Sequence, residues 1–259
     1  MPRSRAEIAA SRPFGNHNRQ WIAGRHVVLE TLRAGRWMPL ELAYVPDPGS
    51  VELREALDLA RTLGVRVVES STIGLGKLCR ADDHQGLAVR LPEFPYATLD
   101  DLLDGAAKPA AILVLDRLHD SHNYGAILRS AEVFGCDGVV VAASGQSPVN
   151  GQVARSSAGA VNHIPIARHD DLSAAAAHLK RAGLRLIGTS PDARATLSRV
   201  DLTGPVAIVL GNEAGGISPV LLGACDECVR IPQSGRTGSL NAAVSAGVVC
   251  YELRRQRGG

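Results

Sequence analysis

The chain has 259 residues, of which 45% are hydrophobic and 21% are charged, and its formal net charge is +2. This length allows one large domain or two modest ones, and the near-neutral charge excludes a uniformly basic nucleic-acid-binding protein. Aromatic residues make up only 3%, which argues against recognition of bases mainly by aromatic stacking. No apolar stretch approaches the roughly 20 residues that a membrane-spanning helix needs.

The positive charge is concentrated near the start of the chain. Residues 1–36 contain seven arginines against two acidic residues, Glu7 and Glu30. Residues 1–18 are rich in Arg, Ser and Asn and predict a basic flexible tail, which is either a solvated segment or an arm that seeks phosphates. No apolar run follows the charges and the five cysteines are scattered, so we predict a cytoplasmic protein without a secretory signal.

A small α/β domain is predicted over residues 19–91. Its elements are a strand at 42–45, a helix at 51–63 that Gly64 ends, and strands at 65–68 and 87–91. The helix is predicted from apolar residues that recur with a period of about 3.6. Pro92, Pro95 and Pro109 then interrupt regular structure. We therefore place a linker at 92–109, with a short helix near 99–103.

A larger domain is predicted over residues 110–259. Its strands are predicted at 110–116, 138–142, 164–167, 184–189, 205–210 and 228–231, and its helices at 171–182 and 239–253. Short apolar strands that alternate with helices indicate a parallel sheet covered on both faces. Ligands of such sheets bind beyond the carboxyl ends of the strands. We expect the functional loops to follow strands 110–116, 205–210 and 228–231.

The common nucleotide-binding and hydrolase motifs are missing. No G-x-G-x-x-G follows a strand, the run Gly74-Leu75-Gly76-Lys77 lacks the rest of a P-loop, and there is no G-x-S-x-G. Cys225 and Cys228 form a C-x-x-C pair, and His119 and His122 are the histidines that could complete a zinc site. Neither pair has the usual neighbouring partner pair, so no metal is predicted.

The first informative segment runs from Leu115 to Ala131. A strand ends in a polar loop, and Asn123 stands where a helix N-cap is expected. Ile127, Ala131 and Phe134 form the apolar stripe of the helix that follows. Arg129 lies off this stripe. It either points into a site or is an exposed surface arginine.

The second and third segments lie near the C-terminus. In the second, a buried strand enters a glycine-rich turn that carries Glu213, which is either a ligand-binding loop or a tight connection. In the third, Ile231-Pro232 is followed by a short loop and then by Ser239-Leu240-Asn241, where Ser239 or Asn241 caps the last helix. Small residues at 242–247 let another backbone approach, which fits a threaded chain, a partner subunit or a tight core.

The order and spacing of these three segments resemble the SpoU family of RNA ribose 2′-O-methyltransferases, in the SPOUT superfamily. The run Arg155–Ala160 and the pair Ile164-Pro165 fit the same pattern. The first domain resembles the L30e/L7Ae-like substrate-binding domain of many such enzymes, at Gly24–Val28 and His84–Ala88. The sequence departs from the family at Ser121, where proline is common, and at Gly238, where serine is frequent.

The resemblance implies an α/β fold with a deep trefoil knot in the C-terminal domain, and a homodimer whose active site lies near the subunit interface. It implies S-adenosylmethionine as cofactor, contacted through the backbone by Gly211, Ile231 and Leu240. Arg129 matches the catalytic arginine of the family. The positions that match its other motif residues are Asn123, Glu213, Ser239 and Asn241. The two-domain form implies a guanosine of 23S rRNA as the methylated nucleotide.

Two other interpretations stay open at this point. The same chemistry can act on tRNA, although the small tRNA ribose methylases of the family mostly carry short extensions instead of a first domain. An RNA-binding or ribosome-assembly protein without catalysis is a third hypothesis. The role of Arg129 is also open. A guanidinium is almost always protonated in proteins, so Arg129 either holds the RNA or acts as a transiently neutral base.

Overall fold

The computed structural model describes residues 21–80, 82–236 and 239–258. The predicted tail at 1–18 and Gly238 lie outside the described residues. Contacts between Cα atoms divide the described chain into two compact units. Unit 1 contains residues 21–33 and 38–93, and unit 2 contains residues 34–37 and 94–258.

Unit 1 is built on a four-stranded sheet. The strands are β1 (Trp21–Ala23), β2 (Glu41–Tyr44), β3 (Arg66–Glu69) and β4 (Leu87–Arg90), in the order β1-β4-β2-β3. The helices are α1 (Arg25–Ala34), α2 (Val51–Thr62) and α3 (Thr72–Cys79). Only β2 and β3 pair in parallel, and β4 runs antiparallel to both of its neighbours. The helix predicted at 51–63 is confirmed, and Ser50 caps its start through its hydroxyl.

Unit 2 is built on a seven-stranded parallel sheet. Its strands are β5 (Ala111–Asp116), β6 (Gly138–Ala142), β7 (Ile166–His169), β8 (Arg185–Thr189), β9 (Ala195–Thr196), β10 (Val206–Gly211) and β11 (Glu227–Arg230). The order across the sheet is β7-β6-β5-β10-β8-β11-β9. Every pairing is parallel. The predicted parallel sheet is therefore confirmed.

Helices cover this sheet. They are α4 (Leu99–Gly105), α5 (Ser121–Val133), α6 (Gly151–Ser156), α7 (Leu172–Arg181), α8 (Pro219–Ala224) and α9 (Ala242–Gln256). All six residues of β5 are buried, as expected of a strand between two covered faces. On α7, Leu172, Ala175, Ala176 and Leu179 are buried at helical spacing and pack on the sheet. The short helix predicted near 99–103 corresponds to α4.

Several short elements were not predicted from the sequence. These are β1, α1, α3, α6, α8 and β9. Five of the six are at most eight residues long, and α1 is longer, with ten. Elements of one or two turns show too few residues to establish a period. No described helix is long and apolar enough to cross a membrane.

Candidate active site

The strand order brings the predicted motif loops of unit 2 to one edge of the sheet. Strand β10 lies between β5 and β8 and pairs in parallel with both. The carboxyl ends of the three strands therefore lie side by side, and the loops after them meet. Asn123 follows β5, Glu213 follows β10, and Thr189 ends β8. A ligand bound at this edge would contact all three loops.

A hydrogen-bonded chain of three predicted residues joins the motif segments. The Nδ2 group of Asn123 donates to Oε1 of Glu213 at 2.7 Å. Nδ2 of Asn241 donates to Oδ1 of Asn123 at 3.0 Å. The three side chains are thus held in one orientation by bonds between residues 90 and 118 positions apart.

The structure corrects the predicted cap of helix α5. Its N-cap is Asp120, whose side chain accepts a hydrogen bond from the backbone of His122, and not Asn123. Asn123 is instead in the first turn of α5, which leaves its amide free to bridge Glu213 and Asn241. Of the two caps proposed for the last helix, Asn241 is the one observed, and it accepts from Ala243 and Val244. Phe134, predicted on the apolar stripe, is the half-buried C-cap residue.

Gly211 ends β10 at a turn that folds back tightly on itself. The backbone groups of Asn212 and Gly216 exchange two hydrogen bonds, at 3.2 and 3.0 Å. A Cβ atom at Gly211 would meet the main chain of Gly216 and Ile217. Only glycine fits this position without displacing the backbone. The side chain of Asn212 closes the turn by accepting from Ala214 and Gly215.

This turn forms one wall of a cavity of about 470 Å³, which we name the acidic cavity. Asp192 and Glu213 are its two charged lining residues. Three of the predicted site residues also line it, namely Gly211, Ser239 and Leu240. Ile231 does not. It lies in an adjoining cavity of about 400 Å³ that shares Pro191 with the first.

The sequence analysis missed the loop after β8. Thr189, Ser190, Pro191 and Asp192 all line the acidic cavity, and so does Ser245 of α9. The signal was available, because the strand predicted at 184–189 also ends at the ligand-binding edge of a parallel sheet. Asp192 follows it by three residues, but no known motif marked that loop.

Arg129 is exposed on α5 and does not line the acidic cavity. The opposite face of the helix is buried and includes Ile127, Leu128 and Ala131. Among the residues that the structure describes, the Arg129 side chain forms no hydrogen bond or ion pair. A guanidinium with no internal partner has all of its donors available to an anion.

The glycine of the first motif segment, Gly125, is required by close packing between two helices. A Cβ atom there would collide with the side chain of Ser156 and with the backbone oxygen of Val153, both on α6. Helices α5 and α6 therefore touch closely at this point. The close contact secures the first turn of α5, which carries Asn123.

Asp116 ties the end of β5 to the loop after β10. Its carboxylate is buried, accepts from the backbone N–H of Ser218 at 2.6 Å and from Nε of Arg117 at 2.9 Å. An Asp116→Ala variant leaves the Ser218 N–H without this acceptor. Because a buried unsatisfied donor costs about 1–3 kcal/mol, we expect that loss in the free energy of unfolding, measured by urea denaturation. Asp170→Ala removes an exposed carboxylate that follows β7 and has no side-chain partner among the described residues, and it is the control. Equal stability of D116A and wild type would contradict the structural role of Asp116.

Cys225 of the C-x-x-C pair is half-buried, and its Sγ lies 3.3 Å from the backbone oxygen of Leu221. Burial raises the pKa of Cys225 to about 12, so this thiol stays protonated near neutral pH. Within the described ranges, no group of three or more His, Cys, Asp or Glu residues is placed to hold a metal ion. Cys225 packs instead against the hydrophobic core beneath the sheet.

Comparison with known proteins gives the family. Residues 110–251 match the SpoU rRNA Methylase family, and residues 21–97 match the RNA 2′-O ribose methyltransferase substrate binding domain. The chain belongs to the SpoU rRNA methylase family. It is an RNA methyltransferase, as the three motif segments predicted.

Relatives and solved structures agree with this. An uncharacterized tRNA/rRNA methyltransferase of Mycolicibacterium vanbaalenii is 37% identical over 262 residues, covering 98% of this chain and 83% of that protein. The SpoU methyltransferase AviRb of Streptomyces viridochromogenes, solved with AdoMet, is similar with a TM-score of 0.81 and 26% identity. The match covers 98% of this chain and 94% of that protein. An AdoMet-bound rRNA methyltransferase of Sinorhizobium meliloti is similar with a TM-score of 0.78 and 25% identity, and the match covers 93% of this chain and 89% of that protein.

The Asn123–Glu213 bond provides a test of the motif geometry in this SpoU methylase. Asn123→Asp places two carboxylates at hydrogen-bond distance, so the Glu213 turn should be displaced and affinity for S-adenosylmethionine should fall about tenfold, or about 1.4 kcal/mol. Adding Glu213→Gln restores a donor to the pair, and we expect the double variant to recover most of the affinity. Titration calorimetry of both variants, with Glu213→Gln alone as control, measures this. A double variant no better than N123D would show that the bond does not hold the turn.

Proposed function

We propose that this enzyme transfers a methyl group from S-adenosylmethionine to the 2′-hydroxyl of a guanosine ribose in 23S rRNA. The observation that carries the proposal is the hydrogen-bonded chain Glu213–Asn123–Asn241, which reaches the acidic cavity at Glu213 and unites all three motif segments in one place. We propose that the protein is an enzyme of the RlmB type, in which a substrate-binding domain precedes the methyltransferase domain. It would act in the cytoplasm, where ribosomal RNA is made and assembled.

The acidic cavity suits S-adenosylmethionine. Its volume of about 470 Å³ is in the range of small-molecule sites, and the main chain of the Gly211 turn allows close approach. The cofactor carries two positive groups, the sulfonium and the ammonium, against one carboxylate. Asp192 and Glu213 supply the complementary negative charge. The residues that would hold it are Gly211 and Leu240 through their backbone, with Asp192 facing a positive group.

When bound, the cofactor supplies an electrophilic methyl group. The protein must hold a poorly acidic ribose hydroxyl in line with that group, and such alignment accounts for a large part of the barrier reduction. We propose that Arg129 binds an RNA phosphate and orients the hydroxyl. Asn123 and Asn241 orient neighbouring groups, Glu213 holds the turn through Asn123, and Ser239 positions ribose or cofactor. The proton goes to a substrate phosphate or to a transiently neutral Arg129.

The structural neighbours that match both units include an rRNA methyltransferase, which supports rRNA over tRNA as the target. The decisive test maps ribose 2′-O-methyl groups on rRNA and tRNA from cells with and without this gene. We expect the loss of one guanosine mark in 23S rRNA, restored by wild type and not by Arg129→Ala. Loss of a tRNA mark would keep the chemistry and overturn the target. No lost mark and no cofactor binding would favour a non-catalytic RNA-binding protein.

We further propose that the enzyme is a homodimer with the trefoil knot typical of the family, and that α9 forms the subunit interface. Val244, Val248 and Tyr251 lie at helical spacing on α9 and are 53%, 37% and 56% exposed. Tyr251 also contacts Phe134 edge to face, at 5.9 Å between ring centroids, which extends this apolar face to the end of α5. An exposed apolar stripe of this kind is typical of a protein–protein interface.

A charge on this face should separate the subunits. We expect Val248→Glu to be a monomer by sedimentation equilibrium, with methyl transfer reduced at least tenfold, because the active site of the family lies near the interface. Val51→Glu places the same charge at another exposed valine, on α2, and should remain a dimer. A dimeric V248E, or a monomeric wild type, would contradict the assigned interface.

A further inference from the structure

The cavity beside the acidic cavity has the opposite charge. It is lined by Pro191, Arg230, Ile231, Pro232, Gln233, Gly235 and Arg236. Two of these residues are arginines and none is acidic. We name it the arginine cavity. It shares Pro191 with the acidic cavity, so the two openings adjoin at the carboxyl edge of the sheet.

Within the described part of the chain, the arginines of this corner have no anionic partner. Arg230 and Arg236 are exposed, and neither side chain forms an ion pair or hydrogen bond with another described residue. Arg194 has the same properties and immediately precedes β9, the strand that pairs with β11. Like charges collected without counter-charges repel one another, so such a corner is stabilised by an anion from outside.

Many other arginines in the described ranges behave differently. Seven of them form ion pairs with carboxylates, namely Arg25, Arg33, Arg61, Arg66, Arg90, Arg117 and Arg255. Five of the seven are in unit 1, the unit that matches the substrate-binding domain. Unpaired arginines are therefore not a general property of this surface. Three of the unpaired arginines, Arg194, Arg230 and Arg236, lie together at this corner of the sheet beside the active site, whereas Arg181 and Arg254 are unpaired elsewhere.

We propose that the arginine cavity binds a phosphate group of the RNA next to the nucleotide that is methylated, through Arg230 and Arg236. This rests on the proposed function, since the anion is then part of the substrate. The two cavities therefore suit reactants of opposite charge. The acidic cavity takes the positively charged cofactor, and the arginine cavity takes the polyanion. A phosphate held there limits how the neighbouring ribose can approach the cofactor.

Arginine suits this role because its planar fork donates two parallel hydrogen bonds to a phosphate. Each phosphate contact also releases counterions, which gives a measurable salt dependence. Arg230 and Arg236 are therefore positioning residues for RNA. They do not contact the methyl group that is transferred.

The test compares Arg230→Gln, Arg236→Gln and the double variant with Arg181→Gln. Arg181 is exposed and unpaired among the described residues, but it ends α7, before β8, at the amino edge of the sheet. The probe is deproteinised 23S rRNA, with affinity measured from 50 to 300 mM salt. Cofactor affinity, kcat and KM for RNA are measured on the same preparations. Arg236 lies outside helices and strands, so R236Q should fold even if R230Q does not.

We expect each single variant to lower RNA affinity about fivefold to tenfold near 0.1 M salt. The slope of log affinity against log salt should fall by about 0.7–0.9 for each arginine removed. KM for RNA should rise with little change in kcat, cofactor affinity should stay within twofold, and R181Q should match wild type. Arg236→Lys should keep most of the salt slope but not all of the affinity, because lysine lacks the fork.

Two results would overturn the inference. Wild-type RNA affinity and salt slope in the double variant would show that no phosphate binds there. A loss of cofactor affinity, with RNA binding unchanged, would assign the arginines to the carboxylate of the cofactor. If the wild type binds RNA through these arginines but methylates none, the proposed function fails and the arginine cavity stands. If the double variant methylates RNA with the kcat and the KM of the wild type, the proposed function stands and the arginine cavity fails.

Discussion

Replacing Arg129 by alanine is expected to lower kcat at least about 100-fold while the protein stays folded and binds its cofactor with unchanged affinity. The side chain is exposed, has no partner among the described residues and does not line the acidic cavity. Its loss therefore removes no internal bond. It removes a guanidinium that can align the ribose hydroxyl, and misalignment of reacting groups costs rates of this order. Single-turnover methylation of RNA and calorimetric titration of S-adenosylmethionine measure the two quantities separately.

Two further variants sharpen the Arg129 experiment. Arg129→Lys keeps the positive charge but loses the planar fork, and we expect it to recover less than a tenth of the wild-type rate. Glu132→Ala removes another exposed charged residue from the same helix and should leave the rate within twofold. Full turnover by R129K would show that charge alone is needed. Parallel losses of rate and cofactor affinity in R129A would show that Arg129 acts on the cofactor site instead.

Replacing Gly211 by alanine is expected to weaken cofactor binding about 10-fold to 100-fold. The added Cβ meets main-chain atoms of Gly216 and Ile217, which cannot rotate away as a side chain can. Overpacking of this kind costs about 1–3 kcal/mol, and here its relief must open the turn that forms a wall of the acidic cavity. Binding is measured by titration calorimetry, and thermal unfolding measures the accompanying loss of stability.

Gly215 provides a matched control in the same turn. A Cβ atom at Gly215 would have Asn212 Oδ1 as its nearest neighbour, at 3.7 Å, which is ordinary contact. We expect Gly215→Ala to bind S-adenosylmethionine within a few-fold of wild type. If G211A binds as well as G215A, the turn relaxes without cost, and close backbone approach at Gly211 is not what the cofactor requires.

The local pattern of the sequence was enough to predict the elements that carry a long, clear period. Strand β5 is a continuous apolar run that is buried throughout, and α7 buries Leu172, Ala175, Ala176 and Leu179 on one face. These patterns are set by neighbours in the chain. Short elements were not predicted, because β9 with two residues and α6 with six are too short to show a period. Their positions depend on what they pack against.

The motif segments were recognised from sequence, but the bonds between them were not. Asn123 was predicted as a helix cap because capping is a local preference. In the structure Asp120 caps α5, and Asn123 bonds to Glu213 and Asn241. A sequence pattern shows which residues are present at a given spacing. It does not show which of several possible partners, a hundred residues away, a side chain will meet.

The sequence by itself determined the parallel α/β class, the family and the identity of most candidate site residues, because each depends on the order and spacing of residues along the chain. The tertiary structure alone decided the order of the strands, and with it which loops adjoin. That order put Thr189–Asp192 in the acidic cavity, and it brought Pro191 to the loop of Arg230 and Arg236 in the arginine cavity. Strand order results from burying the apolar faces of all elements together, so no single segment contains it.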